Sequence, residues 1–136
     1  MRLILALVIF FFTSTTTFGQ DLRCGVRLIF GSDQKGSIAN YVLSLQLKNT
    51  TGRNITGASI LYKDSSGNVL GNTFLECKVL DELVKPGSYG DCKTVIQSVD
   101  GQYVKSFGLS KWTEIVNTQL ALMRSVQFCQ LLGFSF

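Results

Sequence analysis

The segment YVLSLQLK, residues 41–48, decides the fold class of this protein. Its odd-numbered positions are all large and apolar, whereas the even-numbered positions after Val42 are polar. A period of two places the apolar side chains on one face of a strand. An antiparallel sheet with one face in solvent has this alternation, so we predict a half-buried antiparallel strand over residues 41–48.

Short segments of similar character lie on both sides of this strand. We predict further strands over residues 22–30, 58–62, 69–79, 91–99 and 103–109. Turn sequences separate them, such as DSSGN at residues 64–68 and DG at residues 100–101. Short strands with turn residues at this spacing predict an all-β fold, an immunoglobulin-like antiparallel β-sandwich of about seven strands.

The segment from residue 111 to residue 132 fits two periods. With a period of 3.6, one apolar stripe begins at Trp112, Ile115 and Val116, and Ser110 is a candidate N-cap. With a period of two, residues 120–128 form a strand face. We favour one short helix near residues 111–118 and then a strand over residues 119–129. A last strand carrying a cysteine would close the sandwich.

The N-terminus has the organisation of a secretory signal peptide. Arg2 precedes an apolar run over residues 3–12, and the small residues Thr17 and Gly19 suit a cleavage site after residue 19. The run is too short to span a bilayer as a helix. We therefore predict a signal peptide over residues 1–19 and a single domain over residues 20–136. Without residues 1–19 the 136-residue chain keeps 117 residues, and its net charge falls from +4 to +3.

The four cysteines all lie in the predicted domain. An even number in an exported chain predicts two disulfides, with three connectivities available. Cys77 and Cys92 flank the turn sequence VKPGS, residues 84–88, so a hairpin about that turn would bring them opposite each other. Cys24 and Cys129 would then join the two ends of the domain. We predict this pairing.

Composition and motifs exclude several classes of chemistry. The chain has no histidine, which removes imidazole-based triads and His-ligated metal sites. The cysteine spacings match no zinc pattern, and adjacent Asp81 and Glu82 are expected to be solvated rather than paired for catalysis. Lysines and arginines are scattered singly, without the cluster that nucleic acids require. We predict a protein that is not an enzyme, with no cofactor, no metal and no nucleic-acid partner.

Two sequons lie in one predicted loop. Asn49-Thr50-Thr51 and Asn54-Ile55-Thr56 make Asn49 and Asn54 candidate glycosylation sites, provided that the host glycosylates. The alternative is a plain turn rich in asparagine and threonine.

Three motifs carry a resemblance to a known family. They are LKNTTG at residues 47–52, LYKDSSG at residues 61–67, and the Pro86-Gly87 turn. Their order resembles the FxLYD-type immunoglobulin-like domains of exported bacterial proteins. The resemblance implies an accessory or binding module, and it supplies no catalytic residues.

These patterns predict a secreted or periplasmic, non-enzymatic module that recognises a protein or a glycan through loops or a sheet edge. The main alternative is a secreted inhibitor or effector that inserts the Pro86-Gly87 loop into a partner protein. A small carboxylate-dependent hydrolase is a weaker alternative. The alternation of Leu132, Phe134 and Phe136 also occurs at the end of outer-membrane barrels, a further alternative. We predict no stable membrane span in the domain, and the oligomeric state stays open.

Overall fold

A computed structural model describes residues 20–136 of the protein. The predicted signal peptide, residues 1–19, lies outside the described residues. The described part of the chain forms seven strands and two helices. These are β1 (Asp21–Arg23), β2 (Gly25–Asp33), β3 (Gly36–Lys48), β4 (Gly57–Lys63), β5 (Val69–Lys78), β6 (Tyr89–Val99), α1 (Gln102–Phe107), α2 (Leu109–Met123) and β7 (Phe128–Ser135).

The strands form one antiparallel sheet in the order β1-β7-β4-β5-β6-β3-β2. Only Cys24 separates β1 from β2, yet these two strands lie at opposite edges of the sheet. The sheet is therefore curled, with its two edges brought together at this residue. The prediction of an antiparallel, all-β class is confirmed, although the single strand expected over residues 22–30 is divided in two.

The strand β3 organises the core. The alternation predicted for residues 41–48 is confirmed, because every odd-numbered residue there is buried. β3 pairs with β6 on one side and with β2 on the other. The main core inside the curl consists of Leu43, Leu45, Leu47, Ile55, Ala58, Ile60, Leu75, Cys77, Val84, Cys92, Val126 and Cys129.

The segment after β6 is helical, which corrects two predictions. Residues 103–109 were expected to form a strand, but they comprise most of α1, the connecting Gly108 and the first residue of α2. The strand expected over residues 119–129 was wrong as well, because α2 continues to Met123 and the last strand begins at Phe128. The segment forms a helix rather than a strand because a helix buries Trp112 and Val116 against the sheet, in a second cluster with Tyr41.

The expected helix at residues 111–118 is present, but it is longer than predicted. α2 begins after Gly108, whose φ of 83° gives the chain a sharp entry that other residues rarely adopt, and not at Ser110. The Tyr41 hydroxyl donates a hydrogen bond of 2.6 Å to the carbonyl of Val116 and so ties the helix to β3. Within residues 20–136, no helix is long and apolar enough to cross a membrane.

Two disulfides cross-link the sheet, one between Cys24 and the last strand and the other between β5 and β6. Cys24 is bonded to Cys129, and Cys77 is bonded to Cys92. Cys77 and Cys92 are directly opposite residues of β5 and β6. This is the pairing that the position of the Pro86-Gly87 turn predicts. Two disulfides are typical of proteins in an oxidising, extracellular-type compartment.

Candidate functional site

Two loops at one end of the sheet form a single surface, which we call the loop face. It consists of residues 49–56, between β3 and β4, and residues 79–88, between β5 and β6. Ile55 and Val84 exchange two backbone hydrogen bonds of 3.0 and 3.2 Å, and both side chains are fully buried. The two loops are therefore held together as one unit, rather than moving separately.

Asn49 fastens this unit from within. Its side chain is fully buried, and its amide nitrogen donates to the carbonyls of Arg53 and Val84 at 2.7 and 2.9 Å. Its side-chain oxygen accepts from the backbone N–H and the hydroxyl of Thr51. Every polar atom of the amide thus has a partner, as a buried polar group requires.

The Pro86-Gly87 turn is part of the base of the loop face. Ser88 donates its backbone N–H to the Lys85 carbonyl at 3.0 Å, and Gly87 has a φ of 79°. Gly87 also donates to the Asn49 carbonyl at 2.8 Å, while the Asn49 N–H donates to Ser88 at 2.9 Å. Hydrogen bonds of Gly87 and Ser88 with Asn49 therefore fix the C-terminal half of this turn, while Pro86 and Gly87 stay exposed.

The outermost feature of the loop face is a two-residue turn at Leu80 and Asp81. Val79 and Glu82 exchange two backbone hydrogen bonds of 2.9 Å, which leaves only two residues to reverse the chain. Both have positive φ, 49° for Leu80 and 65° for Asp81. This is the backbone of a type I′ turn, which normally contains asparagine, aspartate or glycine.

Leu80 combines an unfavourable backbone with an exposed apolar side chain. The left-handed conformation costs a non-glycine residue about 1–2 kcal/mol. The leucine side chain is 94% exposed, the largest value among the exposed large hydrophobic residues of the described chain. Nothing within the described fold buries this side chain, so its burial does not offset the backbone cost. The Val79–Glu82 hydrogen bonds hold the conformation instead, and the side chain extends into solvent.

A cavity of about 720 Å³ lies beside this tip. Its walls carry carboxylates from Asp81 and Glu82, an ammonium group from Lys85, and the apolar side chains of Phe74 and Leu83. Asp81 and Glu82 are exposed, as expected from the sequence. Neither carboxyl group is enclosed by the fold, unlike the buried carboxyl groups that act as general acids in several enzymes.

The two candidate glycosylation sites occupy different environments. Asn54 is exposed and lines the cavity. Asn49 is fully buried, and a glycan on its nitrogen would displace the bonds to Arg53 and Val84. In the folded chain Asn49 is a structural residue, and Asn54 is the accessible member of the pair.

The LYKDSSG motif forms a polar turn at the opposite end of β5. One Asp64 carboxylate oxygen accepts the backbone N–H groups of Ser66 and Asn68, and the other accepts the Asn68 amide at 3.1 Å. These hydrogen bonds, the Asn68 side chain first, hold the pKa of Asp64 below its ordinary value. The motif closes the β4–β5 hairpin and contributes no reactive group.

Sequence reasoning missed the Leu80–Asp81 tip and emphasised Pro86-Gly87 instead. The available signal was a pair of adjacent acids between two leucines, Leu80 and Leu83, in a connection that must reverse the chain. Among residues 20–136 no group of three or more cysteine and carboxylate side chains is arranged to hold a metal ion. Comparison with protein-family models, curated proteins and solved structures finds no match.

Proposed function

We propose that this protein is an exported, non-enzymatic binding module that engages a partner protein through its loop face, with Leu80 as the anchor. The observation that carries the proposal is a leucine 94% exposed in a left-handed backbone conformation. Backbone strain of this kind is concentrated at binding and switching sites, where the surrounding structure imposes it.

The loop face offers a highly exposed apolar side chain, Leu80, on an ordered base. Burial of a leucine side chain contributes about 1.5–3 kcal/mol, more than an exposed polar contact does. The base under Leu80 is fixed by the Ile55–Val84 pairing, the buried Asn49 and the Cys77–Cys92 disulfide. A pre-ordered anchor loses little conformational entropy on binding, which raises affinity.

The chemistry of the tip favours a protein partner over a glycan. Glycan platforms are built from exposed aromatic rings, whereas this tip presents an aliphatic side chain flanked by Asp81 and Glu82. The matching surface is an apolar pocket with lysine or arginine at its rim. If the module acts as an inhibitor or effector, the inserted residues are Leu80 and Asp81 rather than Pro86-Gly87.

Export is supported by two independent features. The N-terminal sequence has the organisation of a signal peptide, and two disulfides are typical of an oxidising compartment. The resemblance to FxLYD-type immunoglobulin-like domains agrees with a secreted or periplasmic accessory role. An immunoglobulin-like sandwich also presents its loops at the ends of the sheets.

Photo-crosslinking tests the proposal. A photoreactive phenylalanine analogue replaces Leu80 in one purified variant and Leu122, a leucine 63% exposed on α2, in a matched control. After incubation with envelopes and medium of the producing cells, we expect one protein adduct from position 80 and none from position 122. Equal labelling from both positions, or none from position 80, would contradict the proposal.

A substitution that separates binding from folding completes the test. Leu80→Asn keeps a residue that tolerates the left-handed conformation, so we expect the free energy of unfolding to rise by about 1 kcal/mol. The same variant should lose the captured protein. Leu122→Asn is the control, and it should retain capture. Loss of stability together with binding would indicate that Leu80 is only a structural residue.

A further inference from the structure

The two helices meet at a corner that presents apolar side chains to solvent. Phe107 and Leu109 lie on either side of Gly108, and they are 65% and 64% exposed. Tyr103, one helical turn before Phe107, stacks on its ring with the ring centroids 6.2 Å apart. We call this surface, residues 103–109, the helical corner. Exposed apolar side chains gathered in this way mark an interaction surface.

A cavity of about 300 Å³ lies beside the helical corner. Its walls include Leu109 and Trp112 of α2, and the Phe30 ring of β2 lies 6.1 Å from the Trp112 ring. Two lysines, Lys35 and Lys105, also line this cavity, and no carboxylate of the described chain does. Apolar walls beside two cations are complementary to a ligand that has an anionic head and an apolar body.

Gly101 holds the two lysines on one surface. It is buried beside the β2–β3 turn, and a Cβ at this position would lie 2.9 Å from the Ser37 carbonyl oxygen. Only glycine permits this close approach of two backbones. The turn that carries Lys35 is thereby held against the start of α1, which carries Lys105.

The carboxylates in these segments already have partners. Asp33 accepts the Lys35 backbone N–H at 2.7 Å, and Asp100 accepts the first N–H of α1 at 2.9 Å. Glu114 is ion-paired with the lysine three residues before it. In the described chain neither Lys35 nor Lys105 forms an ion pair, so both ammonium groups remain accessible to an external anion.

We propose that the helical corner docks this protein on the surface of a bilayer that contains anionic lipids. Phe107 and Leu109 enter the boundary between headgroups and acyl chains, while Lys35 and Lys105 bind lipid phosphates. Lysine suits this position because its apolar stem lies along the acyl chains and its ammonium group reaches the headgroups. The loop face lies at the other end of β3 and stays directed away from the bilayer.

Flotation with vesicles tests the docking. We expect the purified protein to bind vesicles of equal parts phosphatidylcholine and phosphatidylglycerol, and to be released as salt is added. Phe107→Ser/Leu109→Ser removes the inserted side chains and should weaken binding roughly tenfold or more. Leu122→Ser removes a leucine 63% exposed at the other end of α2 and should bind as the wild type does.

A pair of double variants separates the position of the lysines from the net charge. Lys35→Gln/Lys105→Gln should weaken vesicle binding roughly tenfold or more. Lys48→Gln/Lys85→Gln removes the same charge from exposed side chains at the other end of β3, and it should leave binding unchanged. Equal losses in the two variants would mean that net charge alone attracts the protein, which would overturn the proposal.

A photoreactive phenylalanine analogue at position 107 identifies the occupant in envelopes of the producing cells. We expect a phospholipid adduct from position 107 and none from position 122. A protein adduct from position 107, or no binding to the mixed vesicles at low salt, would overturn the proposal. Equal binding by Phe107→Ser/Leu109→Ser and the wild type would overturn it as well. Leu80→Asn should bind vesicles as the wild type does, so this proposal and the loop-face proposal can each fail alone.

Discussion

The loop face and the helix end are ordered by different forces. At the loop face, the buried amide of Asn49 and a backbone pairing at Ile55 and Val84 hold two connections without a helix or a long strand. At the helix end, α2 lies against β3 through the buried side chains of Trp112 and Val116. Directional polar contacts predominate in the first region, and apolar area predominates in the second, to which Tyr41 and Trp112 each add one hydrogen bond.

This difference explains why a strained residue is found only in the first region. Fully satisfied buried hydrogen bonds fix the backbone geometry, and a cross-strand disulfide closes the same segment. Such a base can impose positive φ on Leu80 and Asp81. Apolar packing tolerates small repacking changes and imposes direction less strictly. The loop face is therefore the end of the molecule suited to present an anchor in one geometry.

Removal of disulfides should have the largest effect on stability. The double variant Cys77→Ala/Cys92→Ala removes the disulfide between residues 15 apart in sequence. We expect its free energy of unfolding to fall by about 3 kcal/mol. The control Cys24→Ala/Cys129→Ala opens a separation of 105 residues and should lower it by about 4–5 kcal/mol. Hydrogen exchange should show selective loss of protection at Ile55 only in the first variant. Equal loss of hydrogen-exchange protection at Ile55 in both variants would show that the Cys77–Cys92 disulfide does not selectively hold the loop face.

Asn49→Ala tests the polar base of the loop face. The four hydrogen bonds of the Asn49 side chain are lost, so we expect the free energy of unfolding measured in urea to fall by about 2–3 kcal/mol. Asn54→Ala, in the second sequon and exposed, should change stability by less than about 0.5 kcal/mol. Similar values for the two variants would show that the buried amide does not hold the loops.

Tyr41→Phe tests the polar contact at the helix end. Burial raises the pKa of Tyr41 above its ordinary value, so the phenol stays protonated and donates to Val116. Loss of one hydrogen bond with the ring retained should lower stability by about 1 kcal/mol in urea unfolding. Tyr89→Phe, at a ring 63% exposed, should be neutral. If Tyr41→Phe lowered the free energy of unfolding as much as Asn49→Ala does, the contrast between a polar loop face and an apolar helix end would be wrong.

Substitution of Asp64 in the β4–β5 turn should have the smallest effect on stability, because this carboxylate acceptor is exposed. The lowered pKa of Asp64 means that the ionised carboxylate stabilises the folded state above its ordinary pKa near 4. That contribution is lost as the pH falls through the lower folded-state pKa. Asp64→Ala should therefore be destabilised at pH about 7, and the difference from wild type should shrink toward pH about 2.

Asp64→Asn is the matched variant for this titration. It keeps an acceptor oxygen but cannot ionise, so its stability should lack the contribution that changes with pH at residue 64. Urea unfolding across the acidic range compares the three proteins. A constant difference between Asp64→Ala and wild type would exclude linkage to this carboxyl group.

The sequence predicted the strands of the sheet better than the helical segment between β6 and β7. Residues 41–48 alternate strictly, and the buried face follows directly from that pattern. The turn at Pro86-Gly87 placed Cys77 opposite Cys92, since proline and glycine encode local geometry. Residues 111–132 fit a helix and a strand equally well, and packing of Trp112 on β3 decided between them.

The candidate site was outside the reach of local rules. Aspartate is common in a type I′ turn, but leucine is not a residue that local preference would place at position 80. Their conformation arises from the Val79–Glu82 hydrogen bonds and from a disulfide closed across two strands. Asn49 was identified as a sequon and as part of the LKNTTG motif, and its role as a buried connector requires Val84, 35 residues later in the chain.

The division of the first strand at Cys24 has a consequence for when this chain can fold. β1 pairs only with β7, whose first residue is Phe128, so the earliest strand of the domain waits for the last one. Contacts between distant parts of a chain form slowly, and a nascent chain cannot close this sheet while its C-terminus is still being synthesised. For the exported protein that we propose, β1 therefore has no partner strand until residues 128–135 have been synthesised.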